Sequence, residues 1–425
     1  MRSNMSLSFN RNQEEFEADI QLGEYESSEP IELSEMAVSM LENEVNSGEE
    51  KEGDRIKLHY NRDGEAILTS TQYVGVVSLR DGPTIEVRPK AAGTNLLYLL
   101  QYAHDTTATT FESQAPYQAG HTFLDAFGAL YEAELRRIVD RGLYTDYRRT
   151  DATESHLRGR LDIHRQLQRQ PPVPTAFECT YDELTHDILA NRAILHATTV
   201  LLGAVSDRSI TQSLRQHQQL LRRQVSLTPV TIQDIERIEL NRLADHYEDI
   251  LRLTKLVIRN SFVSELQAGS SAAFAMLVNM NTIFENAVER ACKEVLSERE
   301  DWEVKFQDTS QNLITGGKHT VTLQPDITIY DPENTVSLVA DAKWKNERPK
   351  NADFYQMTSY MLANNVPGIL FYPDCGGLNE SRSTVTGGFP LWLSELPTAV
   401  QVNSYEDFVS AFESETADAI FGMVD

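Results

Sequence analysis

Between residues 55 and 90, apolar and polar residues alternate in three short runs: RIKLHY, AILTSTQYVGVVSL and TIEVRP. A period of two predicts strands with one buried face. Asp63-Gly64 and Asp81-Gly82 fall between the runs, and Asp-Gly supplies the positive φ that tight hairpin turns require. This stretch therefore reads as a small β-rich unit. From Asn95 the spacing becomes helical in NLLYLLQYAH. Residues 120–260 are mainly helical in pattern, broken at QRQPPVPT (168–175), with LRGRLDI (157–163) as a candidate strand. QAGSSAA (267–273) reads as a junction. The apolar run AFAMLVNMNTIFENAVERACKEVLSE (273–298) predicts one helix. Strands follow in WEVKF, HTVTLQPDITIYD and TVSLVADAKWK. A helix NADFYQMTSYMLANN (351–365), a buried strand GILFYP (368–373) and an acidic helix SYEDFVSAFESETADAIFGM complete the chain. No internal repeat is visible.

The pattern predicts an α+β multidomain protein. At about 150 residues per domain, 425 residues make two or three domains. The expected division is an acidic, flexible N-terminal extension (1–55), a β-rich unit followed by a helical middle region (56–266), and a C-terminal α/β domain (267–425). NEVNSGEEKEGD (43–54) reads as an exposed linker.

Charge changes this picture. Asp and Glu number 64 against 38 Lys and Arg, a net charge of −26, and only 10 of the 38 are Lys. An acidic, lysine-poor chain suits a salty cytoplasm, where carboxylates keep proteins soluble. Such acidity normally argues against nucleic-acid binding, an argument that weakens if the whole proteome is acidic. Residues 1–55 hold 15 acidic and 4 basic residues, whereas 130–260 holds 18 and 19, including 18 of the 28 arginines. That arginine-rich stretch is either a set of salt-laced solvent faces or a surface for DNA or a protein partner. Three distant cysteines without C-x-x-C give zinc ribbons and iron–sulfur clusters no support. The start of the chain has no apolar signal core, and no apolar run is long enough to span a bilayer, so a soluble cytoplasmic protein with no membrane partner is expected.

The informative chemistry lies at 321–345. Pro325-Asp326 sits in one β-pattern and Asp341-Ala342-Lys343 in the next, with Asp331-Pro332-Glu333-Asn334 as a plausible turn between them. Alternation points Asp341 and Lys343 the same way and Ala342 into packing. If the hairpin register matches, Asp326 meets Asp341. Two such carboxylates repel unless a hard cation lies between them, and Mg²⁺ (or Mn²⁺) fits, with oxygen ligands and retained waters. Lys343 would then orient or deprotonate a nucleophilic water, its pKa lowered by the cation. The same residues also describe an ordinary cross-strand ion pair. A helix with Glu285 at the margin of its apolar stripe precedes the hairpin. A helix with Gln356 follows, on which Tyr355 and Tyr360 read as core edges. Gly316-Gly317-Lys318 does not complete a Walker A loop, and neither H-E-x-x-H nor G-x-S-x-G occurs.

LQPDITIYD, VADAKWK and DFYQMTSYML together resemble the C-terminal nuclease domain of the McrC family, the nuclease subunit of the McrBC modification-dependent restriction system. FENAVERA is similar to that domain's first helix. YVGVVSLRDGPTIEVRPK (73–90), LRGRLDI and ECTYDELTHDILANRAIL (178–195) are similar to the family's N-terminal and middle segments, so the resemblance spans about 70–425. It implies a restriction-endonuclease-like domain of the PD-(D/E)xK superfamily, with catalysis by Glu285, Asp326, Asp341 and Lys343 and Gln356 as accessory. Metal would be held by Asp326, Asp341 and Glu285. It also implies a partner, an McrB-like AAA+ hexamer using GTP or ATP, and a double-stranded DNA substrate with modified cytosine such as 5-methylcytosine. The β-rich unit, with Arg80, Arg88 and Lys90, is the expected docking surface; exposed charges near turns read equally well there. Two other functions remain open: a non-catalytic adaptor that activates the NTPase and binds DNA, and a stand-alone repair or junction nuclease of the same superfamily.

Overall fold

The structure is a computed structural model. It describes residues 18–46, 53–89, 94–103, 123–169, 175–240, 244–263, 274–297, 299, 301–316, 318–345, 349–374, 381–398, 402 and 404–424. The chain forms two compact units, one made of Met1–Leu130 with Asn260–Asp425, the other of Tyr131–Arg259. This differs from the division at 55/56 and 266/267: the β-rich N-terminal strands and the C-terminal segment share a unit.

The first unit begins with β1 (Ile20–Gly23) and α1 (Glu35–Met40), whose first turn is capped by the Ser34 hydroxyl. Leu41–Val45 continues α1 as a π-helical turn. β2 (Ile56–Tyr60) and β3 (Ala66–Ser70) form a hairpin, as do β4 (Tyr73–Ser78) and β5 (Thr84–Arg88). Both turns lie where Asp-Gly predicted them, with Gly64 at φ 85° and Asp81 at φ 49°. α2 (Thr94–Ala103) and the start of α3 (Phe123–Arg141) follow. The acidic extension is not wholly flexible. Leu22, Ala37, Met40, Leu41 and Val45 are buried in one core with Ile56, Val77, Ile85 and Leu277. The amphipathic spacing of 37, 40, 41 and 45 was masked by the surrounding glutamates.

In the second unit α3 is followed by β6 (Asp146–Glu154), β7 (Arg160–Leu161), α4 (Ile163–Arg169), β8 (Phe177–Thr185), α5 (Leu189–Ala204), α6 (Arg208–Arg222), α7 (Ile232–Ile235) and α8 (Glu248–Asn260). α5 is buried along most of its length, and the Tyr131 hydroxyl bonds the Ile194 carbonyl at 3.0 Å. β6 and β8 pair antiparallel over nine residues, and β7 adds two more pairs. The region is therefore not mainly helical throughout. Of LRGRLDI, only Arg160–Leu161 is strand.

The chain re-enters the first unit through β9 (Ser261–Val263) and β10 (Phe274–Asn279), then α9 (Met280–Ser297). The single helix expected over 273–298 is thus a strand followed directly by a helix. A short unbroken apolar run does not distinguish the two states, and here pairing decides. β10 lies antiparallel to β4, completing a sheet of order β1-β5-β4-β10-β9. Gly75, at φ 141°, permits this approach, since a Cβ there would lie 2.0 Å from the Met276 carbonyl oxygen.

β11 (Glu303–Phe306), β12 (Asn312–Ile314), β13 (Val321–Thr322), β14 (Ile327–Tyr330), β15 (Val336–Ala342), α10 (Asn351–Asn364), β16 (Gly368–Pro373), β17 (Ser381–Thr384), β18 (Pro390–Leu396) and α11 (Tyr405–Val424) complete the fold. Six of these strands form a mixed sheet of order β11-β14-β15-β16-β18-β17. β15, β16 and β18 run parallel at its centre, and their near-continuous apolar sequences fit strands covered on both faces. Met357 and Met361 of α10 pack on Val339, Leu370 and Tyr372. No helix among the described residues is long and apolar enough to cross a membrane.

Candidate functional site

The site is built on the β14–β15 hairpin. Asn334, at φ 59°, closes its turn, and the Asp331 carboxylate accepts the Thr335 N–H at 2.8 Å. Ile327 faces Ala340 and Thr328 faces Val339, so the next step sets Asp326 opposite Asp341. Asp326 Oδ2 accepts the Ala342 N–H at 2.9 Å, which locks one carboxylate to the strand that carries the other. The Lys343 ammonium ion-pairs with Asp341 Oδ2. Asp341 is 1% exposed, and among the described residues its Oδ1 meets no donor.

Electrostatics follow from this crowding. Burial, then the Asp326 charge, pushes Asp341 up to about 7. Burial also raises Asp326, outweighing Lys343 and the Ala342 N–H, which pull it down; Glu285 adds to the rise. Burial alone would lower Lys343, but Asp341, Asp326 and Glu285 hold its ammonium above the usual lysine range. So held, the Lys343 ammonium is a hydrogen-bond donor and a counter-charge to the two carboxylates.

Glu285 lies on α9, half-buried, within electrostatic reach of Asp326 and Lys343. Among the described residues no three His, Cys, Asp or Glu side chains come close enough to form a metal-binding cluster. Two adjacent carboxylates with an unpartnered buried oxygen still suit a hard cation that keeps several of its waters. Asp326 and Asp341 would hold it directly, with Glu285 acting at longer range.

Gln356 is exposed, and its amide donates to the Tyr360 hydroxyl at 2.9 Å, which in turn donates to the Gln324 carbonyl at 3.0 Å. Tyr360 is buried; Tyr355, read as a core edge, is instead among the most exposed large side chains. Asp353, which the sequence did not single out, accepts Lys345 Nζ at 2.7 Å and the Lys350 N–H at 3.0 Å. Its one sequence signal was the placing of two of the ten lysines at 343 and 345. In the β-rich unit Arg80 lies 3.9 Å from Glu44, and Arg88 bonds Glu86 at 2.9 Å. Lys90 lies outside the described residues.

A family model described as "McrBC 5-methylcytosine restriction system component" matches residues 68–373. Over 333 residues the chain is 21% identical to the "Type IV methyl-directed restriction enzyme EcoKMcrBC" of Escherichia coli (strain K12), covering 72% of this chain and 90% of that protein. Its fold is similar to a chain in the "Refined half-complex from tetradecameric assembly of Thermococcus gammatolerans McrB AAA+ hexamers with bound McrC", with a TM-score of 0.57 and 18% identity, covering 93% of this chain and 99% of that one.

Proposed function

The chain belongs to the family of McrBC 5-methylcytosine restriction system components, and we propose that it is the McrC-type subunit, a Mg²⁺-dependent endonuclease of the PD-(D/E)xK superfamily. The observation that carries this reading is the hairpin register that sets Asp326 against Asp341, with Lys343 ion-paired to Asp341. A spacing of this kind is common by chance; a buried carboxylate pair with an oxygen lacking a donor is not, because such burial is costly without a compensating charge.

In the proposed reaction Asp326 and Asp341 would hold Mg²⁺, with Glu285 supporting it at longer range. The bound ion would neutralise charge developing on the phosphodiester oxygens. The Lys343 ammonium orients the attacking water and the scissile phosphate. Gln356 and Tyr360 fix the Gln324 backbone two residues before Asp326.

The β12–β13 hairpin supports placing the duplex beside this site. Leu313, Ile314 and Val321 are exposed on it, and Lys318 and His319 lie between its strands. No carboxylate occurs between Asp308 and Asp326 in a chain of net charge −26. The known assembly of McrB AAA+ hexamers with bound McrC supports an NTPase partner for this chain as well. Arg80 and Arg88 are each paired locally, so their part in docking is a charge-reversal question.

The test is plasmid cleavage in high KCl with Mg²⁺, using methylated and unmethylated DNA, wild type and Asp341→Ala, with and without the partner NTPase and nucleotide. Cutting that requires methylation, partner and Asp341 is the expected result. Absent cutting, with NTPase stimulation equal for wild type and variant, would establish an adaptor instead. Cutting of either DNA by wild type alone would establish a stand-alone nuclease.

A further inference from the structure

Trp344 follows Lys343 and is among the largest fully buried side chains, 2% exposed. Its indole Nε1 donates to both oxygens of Glu24, at 3.0 and 3.1 Å, across 320 positions of sequence. Glu24 is itself 7% exposed and comes from the acidic segment ahead of the family-matched residues. We propose that Glu24 is a positioning residue: by clasping the Trp344 indole it fixes the end of the catalytic strand and so sets the Lys343 ammonium against Asp341. The proposal rests on the nuclease reading for its functional consequence.

Three observations carry it. First, the strand ladder stops before Lys343. β15 ends at Ala342, and beyond it the backbone keeps a bond from the Lys343 N–H to the Phe371 carbonyl. The Lys345 N–H also donates to the Lys343 carbonyl at 2.9 Å, and two adjacent side chains add anchors to this backbone turn: Lys345 is tied to Asp353 and Trp344 to Glu24. Second, the Trp344 ring packs on Phe284, with centroids 5.6 Å apart, and Phe284 precedes Glu285 on α9. The clasp therefore reaches the neighbour of a second site carboxylate. Third, the approach of Glu24 is built at a cost. Tyr25 adopts φ 60°, a left-handed conformation that costs a non-glycine residue about 1 kcal/mol. The turn is held by Gly23 N–H donating to Glu26 at 2.6 Å and by the Ser70 hydroxyl donating to the Gly23 carbonyl at 2.6 Å. An apolar side chain would fill a core position without strain or desolvation. A side-chain oxygen at this position gives the buried indole N–H an acceptor and one fixed orientation.

The test uses the full chain with Glu24→Ala, Glu24→Gln and Trp344→Phe, each checked for an unchanged thermal midpoint. Glu24→Gln keeps an oxygen acceptor for the indole; Trp344→Phe keeps an aromatic, though smaller, ring but removes the donor. The first readout is independent of cleavage: amine-reactive labelling of the ten lysines, quantified by mass spectrometry. Labelling of Lys343 should rise several-fold in Glu24→Ala and Trp344→Phe, stay near wild type in Glu24→Gln, and leave the lysines remote from the site unchanged. The second is cleavage of methylated DNA with the partner NTPase. Here kcat should fall about 10- to 100-fold in the first two variants, with KM for DNA unchanged and recovery in Glu24→Gln. Unchanged Lys343 labelling in Glu24→Ala overturns the positioning role whatever the protein cuts. If labelling rises but wild type and Asp341→Ala are equally inactive, the nuclease reading fails while the clasp stands.

Discussion

Asp187 shows how much work one side chain does within YDELTHDILANR. Its carboxylate accepts Arg192 Nε and Nη2 at 2.7 Å each, Arg148 Nη1 at 2.8 Å, and the Ser226 N–H and hydroxyl at 2.9 and 3.0 Å. The motif is therefore a structural knot of the second unit. Arg192, above all, holds Asp187 far below the usual carboxylate range. Such a depressed group stabilises the fold fully above its unfolded pKa of about 3.9, and that stability is lost as pH falls toward the folded value. Asp187→Asn should cost about 2 kcal/mol at pH 7, measured by urea unfolding, and its deficit relative to wild type should shrink below about pH 4. A deficit that stays constant with pH would show that the Arg192 pairing contributes nothing. At this scale Asp326, Asp341 and Lys343 were legible in the sequence because strand alternation and hairpin pairing convert spacing into geometry. Glu24 and Asp353 were not. Glu24 meets its partner only through tertiary folding, and the link between Asp353 and Lys345 depends on how the chain turns into α10.

Among the elements, α10 and the two Asp-Gly turns follow the periodicity and turn chemistry of the sequence, whereas the single run AILTSTQYVGVVSL is two strands, β3 and β4, broken at Thr71-Gln72. β6 and β8 carry no continuous apolar face: DYRRTDATE alternates between exposed and half-buried positions, and FECTYDELT buries only Glu178 and Cys179, with charge along the rest. FAMLV (274–278) is an unbroken apolar run that suits helix or strand equally, and pairing with β4 makes it the strand β10. That pairing should be unusually intolerant at Gly75. Gly75→Ala puts a Cβ against backbone rather than a movable side chain, and the residue would also have to keep a positive φ. A loss above about 4 kcal/mol, or failure to accumulate as soluble protein, is expected. A melting curve like that of wild type would mean that the sheet can open there.

For the whole molecule, the acidic N-terminal stretch divides into two functions. Its many carboxylates favour solubility, while Leu22, Met40, Leu41 and Val45 build core. Each fully buried side chain of this kind contributes about 1.5–3 kcal/mol. Deleting residues 1–46 should therefore lower the thermal midpoint sharply and expose hydrophobic surface to dye; an unchanged midpoint would return the segment to a solubilising role. The second unit is an insertion, bounded on both sides by stretches of the first. The two outer stretches are joined not only by the covalent path through 131–259 but also by the side-by-side pairing of β4 with β10. A protease that nicks the inserted unit once would cut the chain without separating its ends. The fragments should co-purify under native conditions as a non-covalent pair and part only in denaturant, with the carboxylate hairpin still assembled on one of them.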